Sequence, residues 1–166
     1  MPKDKSVPLS DFKAWRKRLR SNYQRATSAE LAGKKPMRPR EASMNVMKLD
    51  AYRYYRQLAE AGLIGDLRAS VEKRDGTEWH GHGDGEELWV LRLLAARGKQ
   101  KSEQSKSEAA RARKERSRMA AEFKLAALNN IRPKALLGFL YEAGPIELIQ
   151  ADAKKRNLYA WAKAYQ

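Results

Sequence analysis

Cysteine is absent from this chain, which excludes disulfides, thiol catalysis, iron–sulfur clusters and ordinary structural zinc sites. No run of residues approaches 18 apolar positions, so we expect no membrane span. The first five residues contain no apolar segment of the kind that a secretory signal needs. Together these features favour a reducing, cytoplasmic location.

The sequence is also poor in catalytic patterns. It contains no evident Ser/His/Asp set, no nucleotide-binding glycine loop followed by Lys-Ser/Thr and no paired-carboxylate signature. His80 and His82, with Glu78 beside them, could hold a metal ion or lie on a solvated hairpin tip. We predict the second arrangement, and therefore a protein that is not an enzyme and has no cofactor.

Acidic residues are few, and the basic excess is unevenly spread. The chain has 35 Lys and Arg against 20 Asp and Glu. Residues 1–40 hold 12 cations against 3 anions, residues 101–132 hold 9 against 4, and residues 41–100 are near neutral with 9 against 10. Two basic segments around a neutral centre predict a polyanionic partner, because each Lys or Arg on a phosphate releases a counterion.

Apolar periodicity predicts two helices in the first third of the chain. Ser10 is a good N-cap for a helix from Asp11, whose apolar stripe is Phe12, Trp15, Leu19, Tyr23 and Ala26. The Pro- and Gly-containing stretch 33–40 indicates a linker. A second helix is expected over 41–61, and Gly62 is the natural residue to end it.

After Gly65 the apolar period changes to two, which is typical of strands. Leu67, Ala69 and Val71 alternate with polar residues. Asp75-Gly76 is a hairpin signal, and residues 77–82 and 88–94 would supply two further strands. The pattern predicts a three-stranded antiparallel meander over residues 67–94.

The last third of the chain is expected to be helical. A long helix over 107–128 begins with cations and continues with residues that can pack, and a further helix starts near Pro133. The apolar stripes 136–140, 146–149 and 158–161 predict core or a surface for a protein partner or self-association. We therefore predict a mainly α protein of the α+β class, with helices around the meander and flexible basic arms, divided as 1–40, 41–97, 98–132 and 133–166.

Residues 53–94 resemble the back half of a winged helix-turn-helix domain. The resemblance rests on the helix end and turn over 58–64, followed by a strand, a hairpin at Asp75-Gly76 and a closing apolar strand. It implies a helix in the major groove that presents Lys48, Tyr52, Arg53 and Arg56 to DNA, and a wing tip at Lys73 and Arg74. Residues 76–83 with Trp89 are also similar to the DNA-binding loop of nucleoid-structuring proteins of the H-NS type, with His82 in place of the hook arginine.

The first basic helix could be a nucleic-acid arm, an interfacial membrane helix or a target for a partner's groove. In the long helix, Arg111, Lys114 and Arg118 share one face, and pairs of Arg111 with Glu115 and of Arg118 with Glu122 are the competing structural explanation. The candidate nucleic-acid-binding residues are Lys13, Arg16, Lys17, Arg18, Arg20, Lys34, Lys35, Arg38, Arg40, Lys48, Arg53, Arg56, Lys73, Arg74, Arg111, Arg113, Lys114, Arg116 and Arg118.

These patterns predict a non-catalytic nucleic-acid-binding protein. DNA is favoured over RNA through the winged-helix resemblance, which implies an accessory or regulatory protein associated with the nucleoid. The alternative is an RNA-binding structural subunit of a ribonucleoprotein or another assembly. We expect no membrane partner.

Overall fold

A computed structural model of the chain describes residues 7–31, 43–76, 85–94 and 103–166. Within these ranges the regular structure is helical. The helices are α1 (Phe12–Leu31), α2 (Ser43–Glu60), α3 (Ile64–Asp75), α4 (Glu86–Arg92), α5 (Glu103–Leu128), α6 (Leu136–Ala143) and α7 (Ile146–Lys155), with 3-10 turns at Pro133–Ala135 and Ala160–Tyr165. The chain divides into two compact units, an N-terminal unit, Met1–Trp79, and a C-terminal unit, His80–Gln166.

Helices α1 and α2 form an antiparallel hairpin that is the body of the N-terminal unit. Helix α1 begins at Phe12 because the carboxylate of Asp11 accepts a hydrogen bond from the backbone N–H of Ala14 at 3.0 Å. The N-cap is thus Asp11 and not Ser10. The predicted stripe is largely confirmed, since Trp15, Leu19 and Ala26 are buried. The hairpin core from α2 consists of Met47, Ala51, Tyr52, Tyr54, Tyr55 and Leu58.

Gly62 ends α2 as predicted. Its φ of 69° lies in the left-handed region that glycine adopts without strain. Its N–H bonds the carbonyl of Ala59 at 3.2 Å, and the N–H of Leu63 bonds the carbonyl of Leu58 at 2.9 Å. This pair of bonds satisfies carbonyls at the helix end and turns the chain directly into α3.

The predicted three-stranded meander, and with it the α+β class, is wrong. Residues 64–75 form α3 and residues 86–92 form α4, and no strand occurs in the parts of the chain that the structure describes. Leu67 and Val71 are four residues apart and both buried, whereas Ala69 between them is exposed. Gly76, with φ 68°, caps α3 and is not part of a hairpin turn. The winged-helix resemblance therefore loses the strands that carried it.

The C-terminal unit is built on α5, which packs against α4, α6 and α7. Helix α5 ends at Leu128, as expected, and its second half is buried through Met119, Phe123, Leu125 and Ala126. Asn130, with φ 53°, ends the helix in the same way that Gly62 ends α2. The C-terminal residues contact the end of α5 through the N–H of Tyr159, which donates to the side-chain oxygen of Asn129. The predicted apolar stripes supply core residues such as Leu136 and Ile149.

The predicted boundary near residue 40 falls between α1 and α2, two helices that pack against each other. Trp15 is 7% exposed and Leu19 is fully buried, so the first helix shares a core with the second. Among the described residues, the basic sequence 12–26 is thus part of a folded unit.

Candidate nucleic-acid interface

Four predicted cations lie together on the side of α1 that faces away from α2. Lys13, Arg16, Lys17 and Arg20 are spaced three or four residues apart and therefore share one helical face. The buried residues Trp15 and Leu19 lie on the opposite side. We call these four cations the α1 face.

An open groove of about 730 Å³ borders the α1 face. Lys13 and Lys17 are exposed, and Arg16 and Arg20 are half-buried. Within the described part of the chain, Lys13, Lys17 and Arg20 make no ion pair or hydrogen bond. Arg16 has an interaction within the protein, so the groove presents three cations that no described residue pairs with, and Asp11 is its one described acidic neighbour. The described lining residues are Asp11, Lys13, Ala14, Arg16, Lys17, Arg20, Ser21 and Gln24.

Arg18 has a different role from its neighbours. Its guanidinium lies 5.1 Å from the ring centre of Trp15 and pairs with Asp50 of α2 at 3.3 Å. Asp50 also accepts a hydrogen bond from the amide of Asn22 at 2.9 Å and pairs with Arg53 at 3.7 Å. These contacts join α1 to α2, so Arg18 acts in the hairpin itself. Sequence periodicity did not identify Asp50 as the acceptor, because the partners are 32 positions apart in the chain.

The predicted DNA-contact residues of α2 all have interaction partners within the protein. Tyr52, expected to be exposed, is fully buried, and its hydroxyl accepts a hydrogen bond from Arg56 at 3.2 Å. Arg56 also pairs with Glu60 at 3.9 Å, and Arg53 pairs with Asp50. Lys48 is half-buried and makes contacts within the protein. Tyr52 is therefore not available to contact DNA, and whether α2 enters a groove stays a prediction.

Lys73 and Arg74 are not at a wing tip. They occupy the last turn of α3, where positive charge is stabilised by the helix dipole. Arg74 is half-buried and donates to the carboxylate of Asp75 at 2.6 Å. The helix dipole, and for Arg74 the pair with Asp75, thus account for the position of these two cations.

The predicted cations of α5 divide between two environments. Arg111, Arg113, Lys114 and Arg118 are exposed, and among the described residues none of these four makes an ion pair or hydrogen bond. Arg116 is half-buried and has contacts within the protein. The spacing of 111, 114 and 118 places three of the cations on one face, as predicted, whereas Arg113 projects from another side.

Several predictions fall on residues outside the described ranges. These are the candidate cations Lys34, Lys35, Arg38 and Arg40, and the hairpin residues 77–84 with His80 and His82. In the described ranges, no group of three or more His, Asp or Glu could hold a metal ion.

The sequence stripes did not reveal how the C-terminal aromatic residues are arranged. Trp161 stacks on Tyr159, with ring centres 4.8 Å apart, and Phe139 lies 5.4 Å from Trp161. The hydroxyl of Tyr159 donates to the carboxylate of Asp152, and burial together with this carboxylate raises the pKa of Tyr159 to about 12. Among the described residues of this unit, the large apolar side chains that are exposed are Tyr141, Leu148, Leu158 and Trp161.

Comparisons with known proteins add no family to this geometry. No protein-family model matches the chain, and neither the curated proteins nor the solved structures give a match. None of the described helices is long and apolar enough to cross a membrane.

Proposed function

We propose that this protein binds nucleic acid without catalysing a reaction on it, and that the α1 face is a site of phosphate contact. The observation that carries the proposal is the contrast within one helix. Arg18 is paired with Asp50, whereas Lys13, Lys17 and Arg20, on the outer side, make no ion pair among the described residues. Cations without a partner in the protein are available to neutralise backbone phosphates.

The charge of the groove is suited to contact with the phosphate backbone. Its described lining consists of cations, one carboxylate and small or amide side chains. Phosphate contacts position a protein on nucleic acid but carry no sequence information. We therefore propose binding with little sequence preference. If the polymer is DNA, the protein acts as an accessory or regulatory protein of the nucleoid.

The test is the affinity of a triple variant, Lys13→Gln, Lys17→Gln and Arg20→Gln, for labelled duplex DNA and duplex RNA, measured by fluorescence anisotropy against salt. Gln keeps helix propensity close to that of Lys and Arg. With about 5–8 phosphates neutralised, wild-type affinity should fall on the order of a hundredfold or more between about 50 and 200 mM salt. The variant's log–log slope should shrink by about three.

The matched control removes the same charge elsewhere. Arg132, Lys134 and Lys163 are exposed and make no side-chain ion pair among the described residues, so their joint change to Gln lowers net charge equally. The control variant should keep the wild-type slope. An α1 variant that folds normally and binds like the control would refute the proposed site, and a wild-type slope near zero would refute electrostatic binding altogether.

A second candidate function is an RNA-binding structural subunit of a larger assembly. The observation in its favour is the exposed apolar surface of the C-terminal unit, where Tyr141 is 88% and Leu158 is 72% exposed. If these side chains form a contiguous patch, a protein partner or a second copy could cover it. Nuclease digestion of copurified nucleic acid separates the two candidates, because RNase-sensitive material in a large complex favours the assembly subunit.

A further inference from the structure

The first half of α5 carries a strip of positive charge on the C-terminal unit. Arg111, Lys114 and Arg118 are all exposed and lie on one face of the helix. At 1.5 Å of rise per residue, the strip spans about 10 Å, which is comparable with the distance between Lys13 and Arg20 on α1. The two units therefore present basic strips of similar length. We call this set the α5 strip.

The packing of α5 explains why the strip is outside the core. On an adjacent side of the helix, Ala112 is half-buried and Met119 is buried. Further along the face of the strip itself, Leu125 and Asn129 are buried. The cations thus occupy the part of a packed helix that precedes the core, and the same helix continues through the core.

The competing structural explanation was a set of helical ion pairs. Pairs of Arg111 with Glu115 and of Arg118 with Glu122 would make the cations part of the helix's own stabilisation. Neither pair is formed within the described residues, and Glu122 is buried at 9% exposure. The strip consequently has no visible role in holding α5 in place.

We propose that the α5 strip is a second phosphate-binding face, and that it binds the same nucleic-acid molecule as the α1 face. This inference rests on the proposed function of the α1 face. The two strips belong to different compact units of one chain. When one unit is bound, the effective concentration of the other unit near the same nucleic-acid molecule is therefore raised. Affinity should therefore rise with the length of the nucleic acid by more than the larger number of binding positions alone would give.

The experiment uses the full chain and four proteins: wild type, the α1 triple variant, the variant Arg111→Gln, Lys114→Gln and Arg118→Gln, and the charge-matched control at 132, 134 and 163. Each is titrated with labelled duplexes of about 10 and about 40 base pairs, as DNA and as RNA, because one polymer must be long enough to reach both faces. Helix content and melting temperature are recorded for every variant. The DNA and RNA arms identify which polymer supplies the phosphates.

On the long duplex, we expect the α5 variant to lose on the order of tenfold to a hundredfold in affinity and about three units of salt slope, while the control changes little. On the short duplex the α5 variant should lose only a few-fold, because one face then suffices. An α5 variant that binds like the control would overturn this inference, and the α1 variant would still report separately on the proposed function. An equal loss on both lengths would overturn joint binding by the two faces.

Discussion

The indole of Trp15 lies nearly parallel to the ring of Tyr54, with ring centres 4.0 Å apart and an angle of 11° between the planes. Each partner also holds the segment that precedes α1. The Trp15 N–H donates to the carbonyl of Pro8 at 3.1 Å, and the Tyr54 hydroxyl donates to the carbonyl of Leu9 at 2.9 Å. Burial, followed by the charge of Asp11, raises the pKa of Tyr54 well above its ordinary value. This stack thus connects α1, α2 and the incoming chain.

Changing Trp15 to Ala should destabilise the N-terminal unit by about 3–5 kcal/mol, because it removes a buried aromatic ring and leaves a cavity. Tyr54→Phe keeps the stack and loses one hydrogen bond, so it should cost only about 1 kcal/mol. Denaturant unfolding followed by far-ultraviolet circular dichroism measures both. If Tyr54→Phe were the more harmful change, the bond to Leu9 and not the ring stack would dominate.

Arg18 and its neighbours on α1 should respond differently to neutralisation. Arg18→Gln should lower the free energy of unfolding by less than about 1 kcal/mol, because the Arg18 side chain is 47% exposed and screened by solvent. Asp50→Ala should cost about 2 kcal/mol, because it leaves Asn22 and Arg18 without their acceptor. Arg18→Gln should leave the salt slope of nucleic-acid binding unchanged. A slope reduced by about one in Arg18→Gln would identify Arg18 as a phosphate contact.

The difference between predicted strands and observed helices comes from ambiguous apolar spacing. Leu67 and Val71 fit both a period of two and a step of four, and only the exposure of Ala69 distinguishes them. The ion pair of Arg68 with Glu72 at 2.9 Å is an i to i+4 helical pair that the sequence could have shown. Asp75-Gly76 is equally suited to a hairpin and to a left-handed helix cap. Longer patterns, such as those of α1, α2 and α5, were predicted correctly because more turns support them.

The candidate site was predictable as a set of cations but not as a geometry. Spacing along a helix places Lys13, Lys17 and Arg20 together, and it also places Arg111, Lys114 and Arg118 together. Spacing cannot show which cations form ion pairs within the protein. Arg18 is engaged by Asp50, a residue distant in sequence, and that pairing depends on how α1 and α2 align.

Asn129 should be a sensitive position in the C-terminal unit. Its amide donates to the carbonyls of Leu125 at 2.9 Å and Asn157 at 3.1 Å, and its oxygen accepts from the N–H of Tyr159 at 2.7 Å. The residue is 3% exposed, so Asn129→Ala leaves buried groups unpaired and should cost about 3 kcal/mol. Thermal unfolding measures the loss.

The adjacent residue supplies the control for Asn129. Asn130 is exposed and has φ 53°, a conformation that glycine adopts freely. Asn130→Gly should therefore change stability by less than about 1 kcal/mol. Equal losses in the two variants would mean that the helix end, and not the hydrogen bonds of Asn129, limits stability.

Tyr159 should make the C-terminal unit sensitive to alkaline pH. Its pKa is raised from 10.0 to about 12, first by burial and then by its hydrogen bond to Asp152 and that group's charge. The folded state therefore favours the protonated phenol. The resulting stabilisation is fully present below about pH 10, the pKa of an unfolded tyrosine, and is lost as pH rises towards the folded value.

Melting temperatures of wild type and Tyr159→Phe, compared across that alkaline range, test this dependence. The variant loses the bond to Asp152 and should be less stable at neutral pH, by about 1–2 kcal/mol. Because Phe has no proton to lose, the difference between the two proteins should narrow as pH rises from about 10 to about 12. Lysines and the other tyrosines titrate in both proteins, so their contribution cancels in the comparison. A difference that stays constant with pH would show that Asp152 does not stabilise the protonated hydroxyl.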